Sequence, residues 1–171
     1  MRSVRLVLPK LFFFALLAFA CYGFQIDFPY HFSAKIVGVK DGDTYVVLHQ
    51  DKQTTIRLAH VDCPESGQAF GRAAKKFGST LCFGKEVTVL SEGKSDRYGR
   101  LIGEIYVGKM NVNKQIVLYG YGWHFIKYSK SEEYHEAELE ARSKRRGLWE
   151  DADPIAPWEW RKRKMKPLLT P

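Results

Sequence analysis

A chain of 171 residues is long enough for one domain around a single core, and it shows no internal repeat and no second domain. Its formal charge of +8 suits a polyanionic partner, such as nucleic acid or anionic lipid, without choosing between them, and an ordinary solvated surface reads the same way. The longest apolar run, near the N-terminus, has about ten residues, too few to span a bilayer as a helix.

Residues 1–20 read as a signal peptide: MRSVRLVLPK is basic, LFFFALLAFA is apolar, and Ala18-Phe19-Ala20 is a small-x-small cleavage pattern. An uncleaved anchor or a buried helix is the alternative. Cleavage would remove Arg2, Arg5 and Lys10 and no acid, leaving an exported chain that is still basic. Cys21 would then be the first mature residue, where a lipid could tether the protein to a membrane, although Phe19 stands where such signals prefer a small residue. Residues 21–32 are aromatic-rich and read as a linker or a first edge segment.

From residue 33 the pattern is that of strands. AKIVGV and TYVVLH are β-branched runs separated by the turn Lys40-Asp41-Gly42-Asp43, and QTTIRLAHV follows a second polar turn. The period then changes: Phe70, Ala73, Ala74, Phe77 and Leu81 share one helical face, and Gly84 is a C-terminal stop. KEVTVLSE and RLIGEIYV alternate again, joined by the polar loop GKSDRYG. NVNKQIVLYG reads as a short helix capped by Asn111 and ended by Gly120. The last helix opens on the capping-box pattern Ser129-Lys130-Ser131-Glu132, buries Tyr134, Ala137 and Ala141, and ends at Gly147. Arg142, Lys144, Arg145 and Arg146 at its C-terminal end suit the helix dipole and solubility. Residues 153–171 form a Pro-, Trp- and Lys/Arg-rich tail.

Five short antiparallel strands and three helices make an α+β fold, with the strands closing into a small barrel that leaves no exposed edge. A helix between the third and fourth strands fits the OB-fold barrel. If residues 66–82 form one helix, its ends lie about 24 Å apart at 1.5 Å per residue. A disulfide needs Cα atoms within about 7 Å. Cys63 and Cys82 are therefore expected to stay unpaired.

Asp41 and Asp43 enter the second strand, and the third ends in RLAHVDCPE, which supplies Arg57, Asp62 and Glu65. Adjacent antiparallel strands set the start of one beside the end of the next, so Asp43 and Asp62 can face each other. Two such carboxylates raise each other's pKa unless a cation intervenes. A hard divalent ion would do so, with Ca²⁺ suitable and Mg²⁺ the alternative; an acidic turn without metal is the other reading. Arg57 could pair with either aspartate or hold a phosphate bidentately. Glu65 is either a bare surface acid or, beside an ion, a base for a water. Arg100 is a second phosphate clamp or an ordinary strand end.

DGDT, RLAHVDCPE, DRYGR and RRGLWED, in that order, resemble the thermonuclease family, the staphylococcal-nuclease-like domains, over about residues 33–152. The tail APWEWRKRK is similar to that of bacterial members. The resemblance implies an OB barrel with three helices and Ca²⁺-dependent hydrolysis of DNA and RNA phosphodiesters, leaving 3′-phosphate ends. It implies Asp43, Asp62 and the Cys63 backbone carbonyl as metal ligands, with Asp41 and Thr44 close to the ion. It also implies Arg57 and Arg100 as phosphate-binding arginines, Glu65 as the general base, and Tyr98 and Tyr128 as aromatics lining the nucleotide pocket. Three departures stand out. Cys63 replaces the usual Thr or Ala, the segment after Glu65 lacks a lysine-containing loop, and Ile126 stands where the best-known secreted member has a tyrosine.

The rival expectation is a non-catalytic nucleic-acid-binding module of the same fold. A third is a membrane-surface protein, with Cys21 lipidation and RKRKMK as its two anchoring signals. Trp158 and Trp160 could stack on bases or pack the tail onto the domain. The small barrel permits a monomer.

Overall fold

The computed structural model describes residues 30–165. The signal-peptide expectation, Cys21 and most of the 21–32 segment lie outside the described residues. Strand β1 (Tyr30–Val39) begins ahead of the expected boundary at 33 and is followed by β2 (Thr44–His49) and β3 (Lys52–Leu58). Strands β5 (Glu86–Ser91) and β6 (Leu101–Val107) complete the barrel, while β4 (Val61–Asp62), β7 (Met110–Asn111) and β8 (Trp123–His124) are two-residue accessories. Antiparallel pairings run β3-β2-β1-β5-β6, and β3 then pairs with β6 to close the ring. That closing pair is parallel, Arg57 lying opposite Ile102. An all-antiparallel expectation cannot hold for a closed ring with an odd number of strands, because alternating directions must clash once on the way round.

Period-2 alternation aims Ile36, Tyr45, Val47, Ile56, Val89 and Ile105 into the barrel, all fully buried. Burying each aliphatic side chain of this kind contributes about 1.5–3 kcal/mol. Helix α1 (Gly71–Cys82) covers one end of the core with Ala74, Gly78 and Cys82, and α2 (Val112–Leu118) adds Val112, Ile116 and Val117. Asn111 caps α2 by accepting the Lys114 N–H at 3.0 Å, as its sequence indicates. Helix α3 (Glu132–Ser143) buries Tyr134, Ala137 and Ala141.

Three sequence expectations change. Helix α1 starts at Gly71, not near 66: residues 66–70 are turns, with Gln68 N–H bonded to Glu65 O and Gly71 N–H to Gln68 O, and Phe70 left-handed at φ 64°. The Ser129–Glu132 capping box does not form. The helix begins two residues later than such a box needs, with Ser131 at the N-cap and no side-chain cap bond, and the Ser129 hydroxyl instead meets His60 and His124 at 2.8 Å each. There are four α-helices among the described residues, not three, since the tail folds into α4 (Pro157–Met165). Cys63 and Cys82 are both free and buried.

Candidate active site

The chain turns sharply between β3 and β4. His60 is left-handed at φ 68°. The fully buried Asn113 pins this corner, donating to Ala59 O at 3.0 Å and Gly103 O at 3.1 Å while accepting the Ile105 N–H. Val61 and Asp62 then pair with His124 and Trp123. The β1–β2 turn folds onto the same place. Gly42 packs against Cys63 so closely that a Cβ there would stand 2.6 Å from the Cys63 Cβ. Tyr45 steadies the turn from beneath, its buried hydroxyl donating to Gly42 O at 3.2 Å. Asp43 Oδ2 accepts the Cys63 N–H at 2.7 Å, which ties the two acid-bearing loops together.

Asp43 and Asp62 meet at one nitrogen. Arg57 Nη2 lies 2.9 Å from Asp62 Oδ1 and 3.3 Å from Asp43 Oδ2, and Nη1 donates to Leu58 O and Val61 O at 2.9 and 2.7 Å. Arg57 thus fixes the corner and shares its charge between both acids. Burial pushes the Asp43 carboxyl up to about 7; Arg57 pulls it down, while Asp41 and Asp62 push it further up. Burial also opposes the Arg57 charge, but the two aspartates outweigh it and hold the guanidinium protonated. Asp41, Asp43 and Asp62 thus gather around Arg57 in a protected place, where burial works against the ionised form of Asp43.

Asp41 Oδ1 accepts the Asp43 N–H at 3.1 Å, shaping the turn, and Thr44 donates to Asp43 Oδ1 at 3.3 Å. Arg100 reaches this group through Thr44 Oγ1 at 2.9 Å, while its Nε and Nη2 are each 2.7 Å from Asp96 Oδ2. Tyr98 is 68 % exposed and lies under Arg100, ring to guanidinium 5.5 Å. Asp41, Asp43, Thr44, Arg57, Asp62, Cys63 and Arg100 therefore form one connected group, with Tyr98 at its edge. Tyr128 is not joined to it: exposed, it packs edge-on against Phe125 at 4.9 Å. Cys63 enters through its N–H, and its buried thiol, pushed well up by burial, faces Gly42 and Gly122.

Glu65 stands on the turn after Pro64. Its N–H donates to Gln68 Oε1 at 3.2 Å, and its carbonyl is so close to Gly71 that any Cβ there would collide with it. The carboxylate is held by a residue that sequence reasoning missed. Arg161, on α4, donates from Nη1 to Glu65 Oε1 at 2.8 Å and to Asp62 Oδ1 at 3.3 Å, and from Nη2 to Asp62 Oδ2 at 2.7 Å. Asp62 and Glu65 in turn hold Arg161 protonated against burial. The helix reaches this spot by packing. Trp158 stacks on Phe125 at 5.6 Å with planes 7° apart and meets Trp123 edge-on at 5.5 Å, and Gln68 Nε2 donates to Ile155 O at 2.6 Å. Packing, one of the two alternatives for the tail tryptophans, is what Trp158 does. A signal for Arg161 was present in the sequence: Trp158 and Arg161 are three apart, hence on one face of any helix there.

The implied metal fits the residues present. Asp43 and Asp62 are oxygen donors within reach of one common atom, and burial, with Asp41 and Asp62 after it, lifts the Asp43 pKa in a way that a hard divalent ion would offset. Among the described residues no cluster of three His, Cys, Asp or Glu side chains forms a metal cage.

Comparison with known proteins agrees with this geometry. Residues 55–151 match the family model described as staphylococcal nuclease homologue. The chain is 42 % identical over 131 residues to a protein of Escherichia coli O157:H7 named an uncharacterized endonuclease, covering 76 % of this chain and 85 % of that one. It is 39 % identical over 142 residues to a protein of Shigella flexneri named micrococcal nuclease, covering 77 % and 81 %. A protein of Haemophilus influenzae, also named an uncharacterized endonuclease, is 39 % identical over 131 residues, covering 76 % and 73 %. On the barrel, the paired carboxylates and these matches, the chain belongs to the staphylococcal nuclease homologue family.

Proposed function

We propose that the protein is a Ca²⁺-dependent nuclease that hydrolyses phosphodiester bonds of DNA or RNA and leaves 3′-phosphate ends. The observation that carries this reading is the meeting of Asp43 and Asp62 at Arg57, with Glu65 joined to Asp62 through Arg161. A divalent ion held by Asp43, Asp62 and the Cys63 carbonyl would supply positive charge for a phosphoryl oxygen. Glu65 takes a proton from the attacking water as its oxygen bonds to phosphorus. The P–O5′ bond breaks, and the leaving oxygen takes a proton from solvent water and ends as a 5′-hydroxyl. Arg57 and Arg100 stabilise the charge that gathers on the phosphoryl oxygens. Tyr98 and Tyr128, both exposed, offer faces for base stacking.

Against a purely binding module stands the completeness of the charged set, since a grip on phosphate requires no carboxylates. The test is digestion of plasmid and of single-stranded substrate with Ca²⁺ and then with EGTA, with end-group analysis of the products. Cutting in Ca²⁺ alone with 3′-phosphate ends is expected; folded protein that binds oligonucleotide and leaves it intact in both conditions would select the binding module. Residues 1–20 support export to the cell envelope or beyond, and Cys21 supports a lipid tether. Mass spectrometry of the mature N-terminus separates a free Cys21 from an acylated one. The barrel is read as a monomer, which sedimentation checks.

A further inference from the structure

We propose that Arg161 is the positioning residue for Glu65, which makes the C-terminal helix a working part of the active site. This inference rests on the hydrolytic reading above. The Glu65 backbone is fixed by Gln68 and Gly71, but its side chain is 42 % exposed. Freedom of that kind in a glutamate is worth up to about 2 kcal/mol of rotamer entropy. A base must instead be held to within about 0.5 Å of its working position. Among the described residues, the Glu65 carboxylate is partnered by Arg161, which holds Oε1 at 2.8 Å. Oε2 makes no hydrogen bond among the described residues, so it is the oxygen open to take a proton.

Arg161 can orient Glu65 because it is itself fixed at both ends. One end of its fork grips Asp62, whose side chain is 2 % exposed. Behind it, Trp158 is stacked on Phe125, and Ala156 and Pro157 are buried. A planar guanidinium carries the position of the rigid aspartate across to the mobile glutamate, which a lysine ammonium does far less well. The helix lies beyond residue 151, where the family match ends. The catalytic base and its support therefore come from different parts of the chain.

The test is a double-mutant cycle on the mature chain in Ca²⁺ with a short oligonucleotide substrate: wild type, Arg161→Ala, Glu65→Gln and the double variant, each checked for a cooperative melt and for Ca²⁺ binding by calorimetry. Misplacing the base is expected to lower kcat about 10²-fold, with KM little changed and Ca²⁺ still bound. In the Glu65→Gln background the same change is expected to cost nothing further. Arg161→Lys keeps the charge and runs the same cycle if the alanine variant does not fold. A wild type that binds nucleic acid without cutting it would end the hydrolytic reading and this inference with it. An active wild type matched or exceeded by Arg161→Ala, losses that multiply in the double variant, or loss of Ca²⁺ binding on removing Arg161 would each overturn the positioning role alone.

Discussion

Two polar clusters lie beneath this barrel's surface, and they are built on opposite plans. Around Glu104 the donors are neutral and spent inward. Tyr134 donates to Glu104 Oε1, Asn111 Nδ2 to the same oxygen at 3.0 Å and Tyr106 to Oε2 at 3.0 Å, while His60 and His124 share the Ser129 hydroxyl. Burial, and after it Glu104, push the Tyr106 hydroxyl up to about 12 and that of Tyr134 well above its usual range. These phenols stay neutral donors across ordinary pH. Around Asp43 the groups are charged, acids outnumber guanidiniums, and burial works against the ionised form. In the first cluster the Glu104 carboxylate is fully supplied with neutral donors, and among the described residues His124 Nδ1 is left buried without a partner. The other carries a deficit that only something from outside can fill, and a deficit of that kind is a mark of a site rather than of a scaffold.

Substitution in each cluster should separate the two plans, the largest effect coming from the acids. Glu65→Gln is expected to lower kcat by about 10²–10⁴ while leaving the melting temperature and oligonucleotide binding near those of wild type. Turnover at the wild-type rate would remove Glu65 from the mechanism.

Next in size is a pH effect on the metal-free protein. The Asp43 carboxyl is raised from 3.8 to about 7, so between these values the folded state binds the proton that the unfolded state has released. Stability contributed by protonated Asp43 is therefore present below about pH 4 and lost as pH rises through about 7. The loss is on the order of 2–4 kcal/mol. His124 slopes the other way. Burial lowers its pKa below 6.5, so its share is present above that pH and lost as pH falls. Comparing wild type with Asp43→Asn by denaturant titration cancels the histidine. The wild-type slope should flatten in the variant, and also in wild type saturated with Ca²⁺; equal slopes in all three would show no charge excess at Asp43.

A smaller effect, on stability alone, is expected from the neutral cluster. Tyr134→Phe removes the short donor to Glu104 and should cost about 1–3 kcal/mol, with kcat and KM unchanged. A change in kcat would mean that the two clusters are coupled, and the contrast between them would fail.

The acids were legible in the sequence because each lies in a contiguous motif next to a strand boundary, where antiparallel geometry says what faces what. Asp43 and Arg57 needed no more than that, since Thr44 lies opposite Arg57; Asp62 arrives only after the left-handed corner at His60, on β4, which the sequence did not separate from β3. Arg100 was legible as a charge but not as a contact, since its route to the acids runs through Thr44. The start of α1 was misread because the apolar period continues back to Phe70, while the turn is set by the carbonyl of Glu65 against Gly71. The tail helix failed for a different reason. It is polar on most sides and is held by tryptophans packing on residues more than thirty positions away, so its neighbours are a property of the folded barrel. Arg161 follows from that docking, 96 residues from Glu65 in sequence.

The smallest expected effect lies where Arg142 was read as a helix-end charge. Its guanidinium lies 3.8 Å over the Trp149 ring and 5.0 Å from that of Trp123, while Nε holds Glu138, whose other oxygen accepts the His124 N–H. Arg142 therefore braces the short β4–β8 pairing that carries Asp62, through Trp123 and through Glu138 on the His124 N–H. Its side chain is 44 % exposed, so water screens the ion pair and most of its value is stacking. Arg142→Ala should cost about 0.5–1 kcal/mol in chemical denaturation and leave kcat intact. Arg142→Lys should recover little of that, because an ammonium cannot lie flat on two indoles. Full recovery by lysine would make the charge at the helix end, rather than the aromatic contact, the source of the stability.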